Sequence, residues 1–411
     1  MAIIEYDQLE FRREKNHVKA FFLKNFYFTI EDDELDRIGS WKVRKNAVDF
    51  SSVSQRSAER KFRLIVQKGI SELRSSINNH PTEYVHANSG IPLIGNSAFG
   101  IIDRNSTLIE VKPVTGCNLN CIYCSVDEGL SSRRRQDFLV EKDYIVDELK
   151  KLIMFKQAER IEVHIGTHGE PMLYSPLSQL VREISGISQV ERVSMDTNGT
   201  MLTEKKLDEL ARAGLSQFNL SLNSLDPKIA AKMAGCAYDV EKVRDTAKHI
   251  AAREDTDLIL TPILLPGVNE QEIPKLIRFA RKIGAGKHCP AIGIQNFLNY
   301  RFGRNPVKQM PSANFFEKMR EWERQHGIKL IFGEKDFHIR KTKKLPLPFR
   351  KGDVVEAEII CDGRIGNEKI AAADDRNITV ICPDGTRGKV RVKLIRSKHN
   401  IFVGKCLKKK R

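Results

Sequence analysis

Between residues 108 and 297, short apolar runs alternate with amphipathic stretches of helical period, and this limits the fold more than any other feature of the 411-residue chain. Residues 108–113, 161–165, 190–196, 218–222, 258–265 and 291–297 read as strands, each apolar and bounded by Gly, Pro, Asn or Asp. Residues 144–155, 177–187, 205–214, 230–253 and 273–283 place apolar side chains every three to four positions and read as helices. Strand followed by helix, repeated at these lengths, predicts parallel strands joined by crossover helices. Six such units predict an α/β fold built as a partial barrel rather than a complete eightfold one.

The first of these strands runs into Val114-Thr-Gly-Cys117-Asn-Leu-Asn-Cys121-Ile-Tyr123-Cys124, which gathers three of the chain's eight cysteines into eight positions. A disulfide scaffold spreads its cysteines through a short chain, so the cluster reads as metal ligation. Three thiolates on one compact loop can each bind an iron of a cubane and leave the fourth iron open. A structural zinc would want a fourth ligand, for which His164 or His168 would have to serve. Cys236, Cys289, Cys361, Cys382 and Cys406 are dispersed without a C-x₂-C pair and read as free thiols. Cys236, after Met233-Ala-Gly, has a catalytic role as its alternative reading.

The cysteine loop, with Tyr123 just before its third cysteine, resembles the signature of the radical S-adenosylmethionine superfamily. The resemblance implies a partial (β/α)₆ barrel with a [4Fe–4S] cluster on Cys117, Cys121 and Cys124 at its mouth. S-adenosylmethionine would chelate the open iron and be cleaved reductively to a 5′-deoxyadenosyl radical. A one-electron donor such as a ferredoxin or flavodoxin is implied with it. His164-Ile-Gly-Thr-His168-Gly169-Glu170-Pro171 is similar to the superfamily's Gly-Gly-Glu-Pro element, which implies that Gly169 and Glu170 meet the methionine ammonium. His168 departs from that pattern and reads as structural or as a proton donor. Asn198 lies in a segment like the superfamily's Thr-Asn-Gly turn, although Asn-Gly is also an ordinary turn pair. By the same resemblance Ser221 and Asn223 face the ribose and carboxylate, while Leu265 and Asn296 lie along the adenine. Arg133-Arg134-Arg135 reads equally as a solvated loop or as a phosphate hold.

Charge is the second informative distribution. Residues 340–411 carry 20 Lys and Arg against 8 Asp and Glu, a net +12 of the chain's +16. A basic surplus concentrated in one segment is the footprint of a polyanion partner. Short β-rich runs separated by Asp362-Gly363 and Asp384-Gly385 predict a small antiparallel barrel. Lys389, Arg391 and Lys393 alternate with Val390, Val392 and Leu394, so three cations share one face of a strand, with Arg396 beyond them. This region resembles a TRAM domain, which implies RNA, and tRNA in particular, as partner. Val380-Ile-Cys-Pro383 lacks the phenylalanines usual there, which removes base stacking and leaves charge to supply affinity.

The resulting organisation is a mainly helical extension over 1–95, a radical barrel over 96–340, an OB-like β-barrel over 345–406 and a basic, disordered tail over 407–411. Residues 1–96 contain no cysteine, which disfavours methylthiolation. The longest apolar run, 258–268, is interrupted by Pro262, Pro266 and Gly267 and falls well short of the ~20 residues of a membrane span. No leader is visible, so the expected location is the cytoplasm, away from membranes. The expected function is radical modification of a nucleotide in structured RNA. The rivals are radical chemistry on a protein or metabolite, and a non-catalytic RNA-binding protein with a structural metal.

Overall fold

The computed structural model describes residues 1–407, so the expected disorder of Lys408 to Arg411 lies outside the described residues. Its centre is a six-stranded sheet. Five strands run parallel in spatial order β5-β4-β3-β2-β1: β1 (Leu108–Lys112), β2 (Ile161–Ile165), β3 (Val190–Thr197), β4 (Gln217–Leu220) and β5 (Asp257–Leu260). Gly100–Asp103 adds an antiparallel edge beside β1. The last expected strand, 291–297, is reduced to a bridge between Leu260 and Ile292 and a two-residue parallel pairing of Ile263–Leu264 with Gln295–Asn296. Pro262 and Pro290 interrupt the ladder there, since neither can donate to it.

The two faces of this sheet differ in chemistry. Ile109, Val111, Val163, Ile165, Val193, Met195, Phe218, Leu220, Leu258 and Leu260 are all buried and share one core with the apolar stripes of the helices. Most alternate positions are polar, namely Glu110, Lys112, Glu162, His164, Arg192, Ser194, Asp196, Gln217 and Asn219, with Leu108 and Ile259 the apolar exceptions. Register sets Glu110 beside His164, His164 beside Ser194, and Asp196 beside Asn219. A period of two therefore puts helices on one side and a largely polar face on the other.

The amino-terminal region corrects the helical expectation. Strands Leu9–Arg13, His17–Phe22, Phe26–Glu31 and Arg74–Ser75 form one antiparallel sheet, and Ala2–Glu5, Ala47–Phe50 and Trp41–Val43 form another. Only Gln55–Ser71 is a long helix there, and it covers most of the expected 58–77 segment. The overlooked signal is strict alternation: His17 to Phe22 buries every second residue. Phe62 on the helix is the hub, with Tyr6, Phe11 and Phe50 within 6.1 Å between ring centroids.

The carboxyl-terminal region closes into a five-stranded barrel, β6 (Val354–Asp362), β7 (Glu368–Ala373), β8 (Arg376–Ile381), β9 (Gly388–Arg396) and β10 (Val403–Cys406), in order β6-β7-β8-β10-β9, with β8 and β10 parallel where the sequence predicts an antiparallel barrel. Phe349, Ile359, Ile378, Val380, Val392 and Phe402 fill it. Cys382 and Cys406, expected to be free, form a disulfide; the barrel brings together residues 24 apart in the chain, which spacing does not reveal. The barrel is hydrogen-bonded to the segment that leads into the central domain. Asn377 N donates to Ile94 O at 2.8 Å and Phe402 N to Gly95 O at 2.9 Å. Gly95 has φ +136°, and a Cβ there would fall 2.0 Å from Asn377 O, so this approach requires glycine.

Candidate cluster and cofactor site

The cysteine loop leaves the sheet through Thr115–Gly116, which pairs in parallel with His168–Gly169. Gly169 has φ +147°, and a Cβ would lie 1.7 Å from Gly116 O, so only glycine lets the two segments meet. Beyond them Cys117, Cys121 and Cys124 line a cavity of about 300 Å³ at the carboxyl ends of the strands. Tyr123, Gly169, Glu170, Asn198, Ser221 and Asn223 line it too, so six of the eight expected cofactor residues converge. Leu265 and Asn296 do not. Leu265 packs beneath the cavity against Met233 and Phe297, and Asn296 Nδ2 is spent on Met310 O at 2.9 Å. Ile263 and Gln295, one or two positions away, take the wall instead.

Hydrogen bonds tie the strand ends to the loop. Glu170 is buried and accepts from Thr197 Oγ1 at 2.8 Å, Asn198 N at 2.8 Å and Met172 N at 3.1 Å. Burial pushes its carboxyl up to about 7 despite those three donors. Asn198 Nδ2 reaches Asn118 Oδ1 at 2.9 Å and lies 3.9 Å from Cys117 Sγ. Asn223 Nδ2 donates to Tyr123 Oη at 2.6 Å, and its Oδ1 accepts from Ile263 N at 2.9 Å.

Burial pushes the Cys121 thiol up to about 12 and raises Cys117 and Cys124 as well. The sulfurs are therefore held as thiols until a metal displaces their protons. Backbone amides already point at two of them: Leu119 N to Cys117 Sγ at 3.5 Å and Glu128 N to Cys124 Sγ at 3.2 Å. Tyr238 Oη and Thr167 Oγ1, both in the cavity wall, are buried without a hydrogen-bond partner among the described residues, which fits a polar group occupying this space. Among the described residues no three His, Cys, Asp or Glu side chains gather closely enough for a single metal ion. Three cysteine thiols on one loop suit a cluster with an open iron better than the closed four-ligand site that zinc prefers. His164 is engaged elsewhere, 3.2 Å from Asp196 Oδ2 and 2.9 Å from Ser194 Oγ. Burial, with Lys112 and Arg364 nearby, holds His168 neutral.

Two residues of the site went unforeseen. Arg304 sends its N to Cys124 O at 2.8 Å, its Nη1 to Cys121 O at 3.2 Å and its Nε to Asp127 at 2.7 Å. Tyr238 sits in the cavity wall near Cys121 and Glu170. Neither falls in a motif, and both reach the loop through tertiary folding alone. Of the arginine triplet, Arg133 bonds Asp127 and Arg134 bonds Val126 O and Phe302 O, so two of the three fix the loop.

On the barrel, Lys389, Arg391 and Lys393 are exposed as the alternation requires. Their neighbours across the ladder qualify the surface. Lys389 stands opposite Glu358 and Arg391 opposite Glu356, while Lys393 stands opposite Val354. Arg396 borders a separate groove of about 430 Å³ with Lys344, Lys351 and Lys398 and no lining carboxylate.

The sequence profile described as the radical SAM superfamily matches residues 111–280. An uncharacterized protein of Methanocaldococcus jannaschii is 38% identical over 361 residues, covering 82% of this chain and 83% of that protein. The GTP 3′,8-cyclase of Listeria monocytogenes serovar 1/2a is 32% identical over 178 residues, covering 42% of this chain; the chain spans half the length of that relative. Among solved structures, Streptococcus suis SuiB bound to S-adenosylmethionine aligns with a TM-score of 0.42 at 15% identity, over 80% of this chain and 72% of that one. No helix among the described residues is long and apolar enough to cross a membrane.

Proposed function

The chain belongs to the radical SAM superfamily, and from that premise we propose that it modifies a nucleotide in structured RNA, tRNA in the first instance. Its cofactors are a [4Fe–4S] cluster and S-adenosylmethionine. When bound, the cluster supplies the electron that breaks the sulfur–C5′ bond of S-adenosylmethionine and yields a hydrogen-abstracting 5′-deoxyadenosyl radical. Cys117, Cys121 and Cys124 would hold it, and Glu170, Asn198, Ser221 and Asn223 would orient the sulfonium cofactor in the cavity they line. The strand arrangement we read as an open (β/α)₆ barrel, and the closed five-stranded barrel as a TRAM-like module.

The observation that carries the RNA reading is charge. Most of the chain's excess, +12 of +16, lies in residues 340–411, of which the described part, 340–407, forms the small barrel and the strap leading to it. Such a surplus attracts phosphates at long range and gives salt-dependent binding. Nucleoside mass spectrometry of tRNA from a deletion strain tests it: one modified nucleoside should vanish and return on complementation. If tRNA and rRNA nucleosides are unchanged, the reading fails.

A second reading has its own support. The polar face of the sheet carries Glu110, His164, Asp196 and Asn219, and its Asp196 reaches the wall of the cavity, which suits a small polar substrate. Comparing metabolites of the same strain would reveal such a substrate.

A further inference from the structure

Arg364 lies in the turn between β6 and β7, yet its side chain points away from its own barrel. It is 7% exposed, and its guanidinium is ion-paired with Glu128 and 3.4 Å from Asp137 Oδ1. Its carbonyl oxygen also accepts from Arg135 N at 2.9 Å. Glu128 belongs to the segment just after the third cysteine. Its N donates to Cys124 Sγ at 3.2 Å, and the residue lines the cluster cavity. Asp137 in turn accepts from Thr115 Oγ1 at 2.9 Å, immediately before the loop begins. One arginine of the carboxyl-terminal barrel therefore touches the carboxylates that bracket the cysteine loop at both ends.

Stability alone does not account for this arrangement. Burying a guanidinium against two carboxylates costs desolvation that well-packed apolar side chains would avoid. The network is also incompletely bonded: Arg364 Nε and Nη1 and Glu128 Oε2 are buried without hydrogen-bond partners among the described residues. What the arrangement does accomplish is geometric. From the other side Arg304 grips Cys121 and Cys124 through their carbonyl oxygens, so the 121–128 segment is held between two arginines.

We propose that Arg364 is a positioning residue for the cysteine loop, which makes the carboxyl-terminal barrel a structural wall of the radical site. The barrel sets where Glu128 stands, Glu128 sets the amide that faces Cys124, and Cys124 is one of three sulfurs on which the cluster depends. The inference uses only superfamily membership and stands whether or not the substrate is RNA.

The test uses the full-length protein with Arg364→Met, Arg364→Lys and Glu128→Gln, each checked for folding by its thermal midpoint. In the anaerobic apoprotein, alkylation of Cys124 by iodoacetamide is followed by peptide mass spectrometry, with Cys289 as internal reference. After reconstitution, iron release to a chelator and the electron paramagnetic resonance spectrum of the reduced cluster are recorded with and without S-adenosylmethionine. Losing a partner that orients a metal ligand typically weakens metal retention ~10- to 100-fold. The expectation for Arg364→Met is faster Cys124 alkylation relative to Cys289, iron release at least ~10-fold faster, and an altered spectrum with cofactor bound. Arg364→Lys, which keeps charge but loses the fork, should move the same readouts less. A variant whose thermal midpoint falls while Cys124 reactivity, iron retention and spectrum match the wild type would overturn the proposal. If Arg364→Met does not fold, unchanged values in both Arg364→Lys and Glu128→Gln overturn it equally.

Discussion

Asn223 Nδ2 donates to the hydroxyl of Tyr123 at 2.6 Å, joining the end of β4 to the middle of the cysteine loop. The same amide accepts from Ile263 N through Oδ1, so a single side chain spans the loop, β4 and the segment after β5. Replacement by alanine removes the partner of the Ile263 amide and one of two partners of the half-buried Tyr123 hydroxyl, and each buried group left unpaired costs ~1–3 kcal/mol. The expected result for Asn223→Ala is normal iron content but S-adenosylmethionine affinity reduced ~10- to 100-fold, as measured by anaerobic equilibrium dialysis. Loss of the cluster itself in that variant would show that the bond stabilises the loop rather than the cofactor pocket.

Replacing Cys117, Cys121 and Cys124 by alanine removes every thiol that lines the cavity. Anaerobically reconstituted wild type should show the broad visible absorbance of a [4Fe–4S] cluster and form 5′-deoxyadenosine with a reductant. Each single alanine variant should lose both, because two thiolates leave a cubane with too few ligands. The matching changes at Cys236 and Cys289 should lose neither. Retention of zinc and the absence of iron in the wild type would refute the assignment.

Glu170 gives a pH dependence whose sign is fixed. Burial raises its carboxyl to about 7, so below that pH the native apoprotein holds a proton that an unfolded chain would release above its ordinary value near 4.3. The folded state binds more protons between those values, and stability from this group therefore falls as pH rises through the window. Cofactor binding runs oppositely. An ammonium group favours the ionised carboxylate, so S-adenosylmethionine affinity should rise with pH through about 7. Glu170→Gln should lower affinity and flatten that part of the profile. A profile unchanged by the substitution would place the titration elsewhere, with Glu128, also pushed up to about 7 by burial, as the next candidate.

The parts that were legible in the sequence share a cause. Strands β1 to β5 and the cysteine loop are encoded locally, by a two-residue period ending in a Gly- or Asn-containing turn, and local signals survive without knowledge of partners. Tyr123, Glu170, Asn198 and Asn223 were legible through the resemblance of the cysteine loop and of three segments after strands to the superfamily's motifs, not through periodicity. Arg304, Tyr238 and Arg364 were not, since their roles arise from contacts across about 70 to 240 residues of chain that no spacing rule encodes. The Cys382–Cys406 pairing failed for the same reason. The strands before residue 51 carry a local signal too, the period-two burial of Val18, Ala20 and Phe22, which the helical spacing of residues 58–77 does not represent. The cationic stripe on β9 was read correctly as exposed, but the glutamates facing it belong to β6, some thirty residues earlier.

That last pairing makes the polyanion surface testable residue by residue. Opposite charges directly across an antiparallel ladder partly neutralise one another, so Lys389 and Arg391 offer less to a phosphate than isolated cations do. Lys393 faces Val354, and Arg396, Lys344 and Lys351 border a groove without a carboxylate. If RNA is the partner, binding of total tRNA measured against salt concentration should separate the two groups. Each cation that contacts a phosphate contributes about 0.7–0.9 to the slope of log affinity against log salt. Arg396→Ala, Lys393→Ala and Lys351→Ala should each reduce the slope by roughly that amount. Lys389→Ala and Arg391→Ala should leave it nearly unchanged, and Glu356→Ala should steepen it by freeing Arg391. Equal effects from all five cation-to-alanine variants would mean that the barrel's field acts as a whole, with no preferred phosphate track.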